Sequence, residues 1–277
     1  VTVQPSLQPY IDAWTQSIEA ISELVSSLVE GEWNRPSELP GWSVRDVVSH
    51  VIGGECEALG DPRPIHTLPR DLYHVVDEPT RYLEVQVDVR RHHTGPEMTS
   101  ELEYTIIRRA RQLRNERRKP EDQVSHPLLG KLSLESFLAQ RVLSVWLSEQ
   151  DIRRALGRPG NVDSPAARIA AEVILRRLPK TIAEDAGAPK KSAVVFDVNG
   201  PIEFLRTVRV DENGNGTVDS SPSLGPIVTF TTDWETFSRV ACGRGKGKKF
   251  EKVADKLKIE GDQALAERIL ASFPLAR

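Results

Sequence analysis

His50 is the residue of this 277-residue chain whose type and setting best suit chemistry. It lies in LPGWSVRDVVSHVIGG, residues 39–54, just ahead of Gly53 and Gly54. An imidazole titrates near neutrality, so it can serve as a base, a hydrogen-bond partner or a metal ligand. The two glycines leave space beside it that a metal, a thiol or a partner helix could use. A second polar set lies further along. Arg141, Ser144, Ser148 and Asp151 recur at spacings of three and four, in line with Phe137 and Ala155, and so share one helix face. A polar row continuing a buried row is either an internal polar site or serines bonded back to the carbonyl four residues earlier.

The remaining reactive residue types are scattered. Cys56 and Cys242 have no neighbouring base and read as small buried apolar residues. The absence of a CxxC pair or disulfide framework predicts a reducing, cytoplasmic setting. His66, His74, His92 and His93 lack close ligand spacing and are expected at the surface. His126 sits in a loop from which it could swing toward the bundle mouth.

The elements that must position these groups are mainly helical in the first half. Leu7, Ile11, Trp14, Ile18, Ile21, Val25 and Leu28 define a first amphipathic helix. Ser43 and Asp46 form a capping box for a second, whose buried stripe is Val44, Val47, Val48, Val51 and Ile52. A third helix is predicted over 98–119 and a fourth over 133–156, with 65–95 ambiguous and 120–129 a loop. After Gly160 come a helix over 166–178 and short strands in SAVVFDV, PIEFLRTVRV, NGTVDSS and GPIVTFTTD. NGNG is a hairpin signal. A helix over 234–241, a strand in KLKIEGD and a helix over 263–273 close the chain.

With 37 basic against 40 acidic residues, nothing marks a nucleic-acid binder. The basic stretches 108–119 and 244–257 read as solvated helix faces. No apolar run approaches the length of a membrane span, and no signal peptide is evident.

LPGWSVRDVVSHV, with Arg141 and the later run Asp151-Ile152-Arg153-Arg154-Ala155-Leu156-Gly157, resembles the mycothiol-dependent maleylpyruvate isomerase family of DinB-like bundles. TFTTDWETFSRVACGRG followed by LKIEGDQALAERILASF resembles the sterol-carrier-type domain that follows the bundle in many members. The resemblance implies an α plus α+β architecture. A DinB-like four-helix bundle over 1–160 precedes a smaller sterol-carrier-like sheet-and-helix domain over 161–277.

It also implies a divalent metal, usually zinc, held by a His on the second helix and a Glu and a His one turn apart on the fourth. His50 matches the first ligand, but the other two positions are Ser144 and Ser148. Neutral hydroxyls are poor zinc donors, so a tight metal site is disfavoured and His50 is expected as a hydrogen-bonded pocket residue. Glu149 cannot substitute, being about 100° around the helix from Ser148. By the same resemblance His50 and Arg244 are the candidate catalytic residues. Arg141, Ser144, Ser148 and Asp151 are the candidates to bind mycothiol or a similar thiol. Two functions follow: a thiol-dependent transferase or isomerase of a small molecule with His50 as general base, or a non-catalytic protein binding a small molecule or an apolar ligand.

Overall fold

Helices whose apolar residues recur every three or four positions must bury one side, and four such helices can bury theirs on one another. A computed structural model describes residues 6–245 and 253–273. The chain divides into two compact units, Val1–Ile169 and Ala170–Arg277. The first contains α1 (Gln8–Val25), the single turn α2 (Glu30–Trp33), α3 (Val44–Leu59), α4 (Glu78–Asp88), α5 (Gly95–Arg114) and α6 (Leu134–Leu156). The helix α1 packs on α5 and α6, and α3 packs on the same two, which closes a four-helix bundle. Trp14, Ile18, Ile52, Leu102, Val142 and Ile152 are among the side chains that fill it.

Three features depart from the expected layout. Residues 65–95 contain α4, which lies against α3. The third long helix ends at Arg114, because the Glu116 carboxylate accepts the backbone amides of Arg117 and Arg118, each at 3.0 Å, and so holds a turn there. The expected loop over 120–129 instead begins an antiparallel hairpin, β1 (Gln123–His126) with β2 (Gly130–Ser133). Nor is 108–119 simply a solvated face. Arg108 pairs with Asp61, and Arg109 is 2% exposed.

The chain enters the second unit within α7 (Pro165–Lys180). Its sheet has the order β5 (Gly216–Asp219), β4 (Phe204–Val210), β3 (Ser192–Asn199), β6 (Val228–Asp233), β7 (Lys258–Gly261). Only the β3–β6 pair is parallel. In NGNG the Asp211 carboxylate accepts the amides of Asn213 and Asn215, each at 2.8 Å, and turns β4 into β5. Phe196 and Phe230 stack with centroids 5.1 Å apart, and Phe237 of α8 (Trp234–Ala241) meets Phe196 edge-on. The helix α9 (Gln263–Ser272) follows β7. Residues 246–252, the centre of the basic stretch 244–257, lie outside the described residues. Among the described residues no helix is long and apolar enough to cross a membrane.

Candidate functional site

The start of α3 is built as its sequence requires. Ser43 caps the helix, and the Asp46 carboxylate accepts from both the Ser43 amide and hydroxyl at 2.8 Å. Gly41 has φ +77°, and a Cβ there would fall 2.2 Å from the His74 ring, so both conformation and space demand glycine. Trp42 Nε1 donates to Glu84 at 2.8 Å, while its ring meets the His50 ring at 5.3 Å. Glu84 is 1% exposed and also faces His74 at 3.0 Å and Arg91. Burial pushes its carboxyl upward, but His74, Trp42 and the Arg91 charge outweigh this and hold it below the ordinary range. His50 itself is half-buried.

The space beside Gly53 and Gly54 is taken by neighbouring helices. A Cβ on Gly53 would lie 2.5 Å from Gln86 Cβ of α4, and one on Gly54 would lie 2.7 Å from an Arg141 terminal nitrogen of α6. Of the three occupants that the glycines allow, the described residues supply the partner helix. Arg141 passes over Gly54 to reach Glu55, donating from Nε at 3.1 Å and Nη2 at 2.6 Å. Arg109 donates to the other Glu55 oxygen at 3.1 Å. Glu55 is fully buried. Burial pushes its carboxyl upward, yet Arg141 and then Arg109 prevail and hold it below the usual range.

The polar row of α6 is occupied internally. The Ser148 hydroxyl donates to the Ser144 carbonyl at 2.9 Å, one of the two arrangements that the spacing allows. Asp151 accepts from Arg154 at 2.9 Å, and Arg154 also reaches Glu38. Glu149 accepts from Ser17, Arg153 and Asn161 at 2.7–2.9 Å. These residues do not fit a zinc ion. Ser144 and Ser148 carry neutral hydroxyls, the second already donating to a carbonyl, and the nearby Glu149 already accepts three hydrogen bonds. Among the described residues no group of three His, Cys, Asp or Glu side chains is placed to hold a metal. Because a back-bonded helix serine contributes little, Ser148→Ala is expected to change unfolding free energy by less than about 0.5 kcal/mol in a urea titration.

The histidines are less exposed than their spacing suggested. His66 meets Asp88 at 2.6 Å, His93 meets Glu101 at 3.5 Å, and His74 is 9% exposed against Glu84, while His92 is exposed. Carboxylates of α4 and α5 draw three of them inward. His126 in β1 lies 3.5 Å from Glu57, and Glu57 also accepts from Tyr82. Burial, and then this carboxylate, push the Tyr82 phenol up to about 12, so it remains a donor. In the second unit Arg244 is 4% exposed and donates to the Cys242 carbonyl at 2.7 Å. Glu55 was missed in the sequence although a signal existed. It falls three residues beyond Ile52 on the buried stripe of α3, where a carboxylate must find cations.

Residues 14–153 match the family described as the mycothiol maleylpyruvate isomerase N-terminal domain. The fold is similar to the crystal structure of the mycothiol-dependent maleylpyruvate isomerase, at 13% identity and a TM-score of 0.59. It is equally similar to that of a histidine-to-alanine mutant, at 14% and 0.58. Each alignment covers 92% of this chain and 92% of the other. Sterol Carrier Protein 2 Like 2 from Aedes aegypti aligns at 21% identity over 39% of this chain and 99% of its own, but with a TM-score of 0.28 that is too low to define a shared fold. No curated protein matches the chain. A match to half of the chain, over a bundle of the expected helices, makes this protein a member of the mycothiol maleylpyruvate isomerase N-terminal domain family.

Proposed function

We propose that the chain is a thiol-dependent transferase or isomerase of a small molecule that works without the metal, with His50 as base. The supporting observation is the donor set. His50 remains, half-buried against Trp42, while Ser144 and Ser148 occupy the other two positions and the Ser148 hydroxyl is committed to a carbonyl. A free thiol ionises near pH 8.5, so at neutrality most of it needs a base before it can attack. His50 takes the thiol proton and holds it, and an imidazole in that role contributes roughly 10²–10⁴-fold in rate. Trp42, held through Glu84, sets the imidazole's orientation. Arg141, Ser144, Ser148 and Asp151 are the proposed polar contacts to a thiol such as mycothiol.

The test combines metal analysis of the purified protein with thermal shift against mycothiol. No stoichiometric zinc is expected. Mycothiol raises the melting midpoint, and His50→Ala abolishes thiol-dependent turnover while the protein stays folded. Stoichiometric zinc, or a midpoint unmoved by thiol, sinks this reading.

One observation favours a second reading, a non-catalytic binding protein. Two buried carboxylates are satisfied internally, Glu55 by two arginines and Glu149 by three donors, as in a bundle kept for its fold. In that case small acyl compounds raise the midpoint, thiols do not, and His50→Ala changes neither response.

A further inference from the structure

The helix α5 carries two stripes. Met98, Leu102, Thr105, Arg109 and Leu113 are buried and face the bundle. On the other side Glu97, Ser100, Tyr104, Ile107, Arg111 and Arg114 are all exposed. They step by three and four throughout, the a and d spacing of a helix that packs along its length on another helix. Singly exposed apolar residues are ordinary, but Tyr104 and Ile107, 62% and 66% exposed, are neighbours on one row.

Charge divides the same row. Its first end is Glu97, and its last is Arg111 and Arg114. Glu97 accepts the Thr94 amide at 2.6 Å and the Thr94 hydroxyl at 2.9 Å, both on Oε2, which leaves Oε1 for another donor. Among the described residues neither arginine has a carboxylate partner. Arg108, by contrast, lies one position off the row, is held by Asp61 and backs the Tyr104 ring, 5.4 Å from its centre. Shallow grooves flank the middle of the row. Ile107 borders one between α1 and α5, walled by Ser22, Ser26 and Ile106, and Tyr104 borders another beside Pro96 and Ser100.

We propose that this row is the contact between two copies of the chain, their α5 helices antiparallel about a two-fold axis. With the axis midway between Tyr104 and Ile107, each Tyr104 meets Ile107 of the second copy. In the same register each Ser100 meets Arg111 and each Glu97 meets Arg114. One register thus pairs both apolar residues and both outer charges, the self-complementarity that a two-fold contact requires. A parallel pairing would instead set Glu97 against Glu97 and Arg114 against Arg114. The row runs about 26 Å at 1.5 Å per residue. That is a small contact, so the association is weak and depends on concentration. The proposal rests on α5 alone and holds whatever the role of His50.

The experiment is sedimentation equilibrium of the full chain at low ionic strength over a wide concentration range. A monomer–dimer equilibrium is expected, and added salt weakens it. Ile107→Lys puts two ammonium groups into the centre of the contact, and Arg114→Glu sets like charges together at both ends. Each weakens dimerisation about tenfold or more. Glu97→Arg does the same from the other end of the row. Mixed in equal amounts, Arg114→Glu and Glu97→Arg chains form a dimer that neither forms alone, because only the mixed pair restores both charge contacts. If Glu97→Arg, which also loses its bonds to Thr94, fails to fold, Ile107→Lys and Arg114→Glu decide the matter by themselves. A parent chain that stays monomeric, a dimer untouched by Ile107→Lys or Arg114→Glu, or a folded mixture that stays monomeric would each overturn the assignment.

Discussion

Replacing Glu55 with Gln is expected to destabilise the bundle by about 3–5 kcal/mol, the largest effect of any single exchange proposed for this chain. The cause is what remains. Arg109 and Arg141, 2% and 9% exposed, would face one another across a neutral amide with no buried anion between them. The control is the triple apolar exchange Glu55→Leu, Arg109→Leu, Arg141→Met, which removes all three charges and should lie near or above the single variant's stability. Urea unfolding at neutral pH measures both, and a Glu55→Gln protein as stable as the parent would refute the argument. The pH dependence has a definite sign. The Glu55 carboxyl is depressed in the folded state, so its contribution is complete above the unfolded value, about 4.3. It is lost as pH falls through the lower folded value. The parent therefore loses this component on acidification, and Glu55→Gln, which has none, does not.

The double exchange Ser144→Glu, Ser148→His is expected to create a site that binds a single zinc ion. Positions 144 and 148 are one turn apart on α6, which packs against the helix carrying His50. A carboxylate and an imidazole at i and i+4 with a second imidazole opposite form a sufficient zinc donor set. Ser148 is 3% exposed, so a larger side chain there costs about 1–3 kcal/mol of overpacking in the metal-free variant. Zinc at a hundred times its Kd then returns about 2.7 kcal/mol, read as a rise in melting midpoint on titration. Adding His50→Ala must remove that rise. A folded double variant that ignores zinc would show that positions 144 and 148 were wrongly matched to the family's ligands.

These two experiments bracket what the residue order reveals. The long bundle helices, the Ser43–Asp46 cap and the NGNG turn depend on local spacing, so each was legible within a few positions. The ion cluster was not, because Glu55 finds its partners 54 and 86 residues away. The helix α4 escaped for a different reason. Its buried residues include Glu84 and Gln86, and Val85 and Val87 alternate with them, which blurs a helical period into a strand-like one. Gly53 and Gly54 were read as space for a metal, a thiol or a partner helix, and a helix written alone does not show which of these crosses it; Gln86 and Arg141 of neighbouring helices do.

The pairing of α1 with α6 has a consequence for the chain as it is made. Ser17 reaches Glu149 across 132 positions, so the first helix closes against the last of the bundle. From the end of α1 to the end of α6 about 130 residues must be added, which at ribosomal rates takes roughly 6–26 s. Throughout that interval α1 lacks the α6 surface that it packs on in the finished fold, and Trp14, Ile18 and Ile21 are among its buried side chains. A nascent chain stalled before residue 134 should therefore engage a hydrophobic-segment chaperone through its first helix, and one stalled well past 156 should release it.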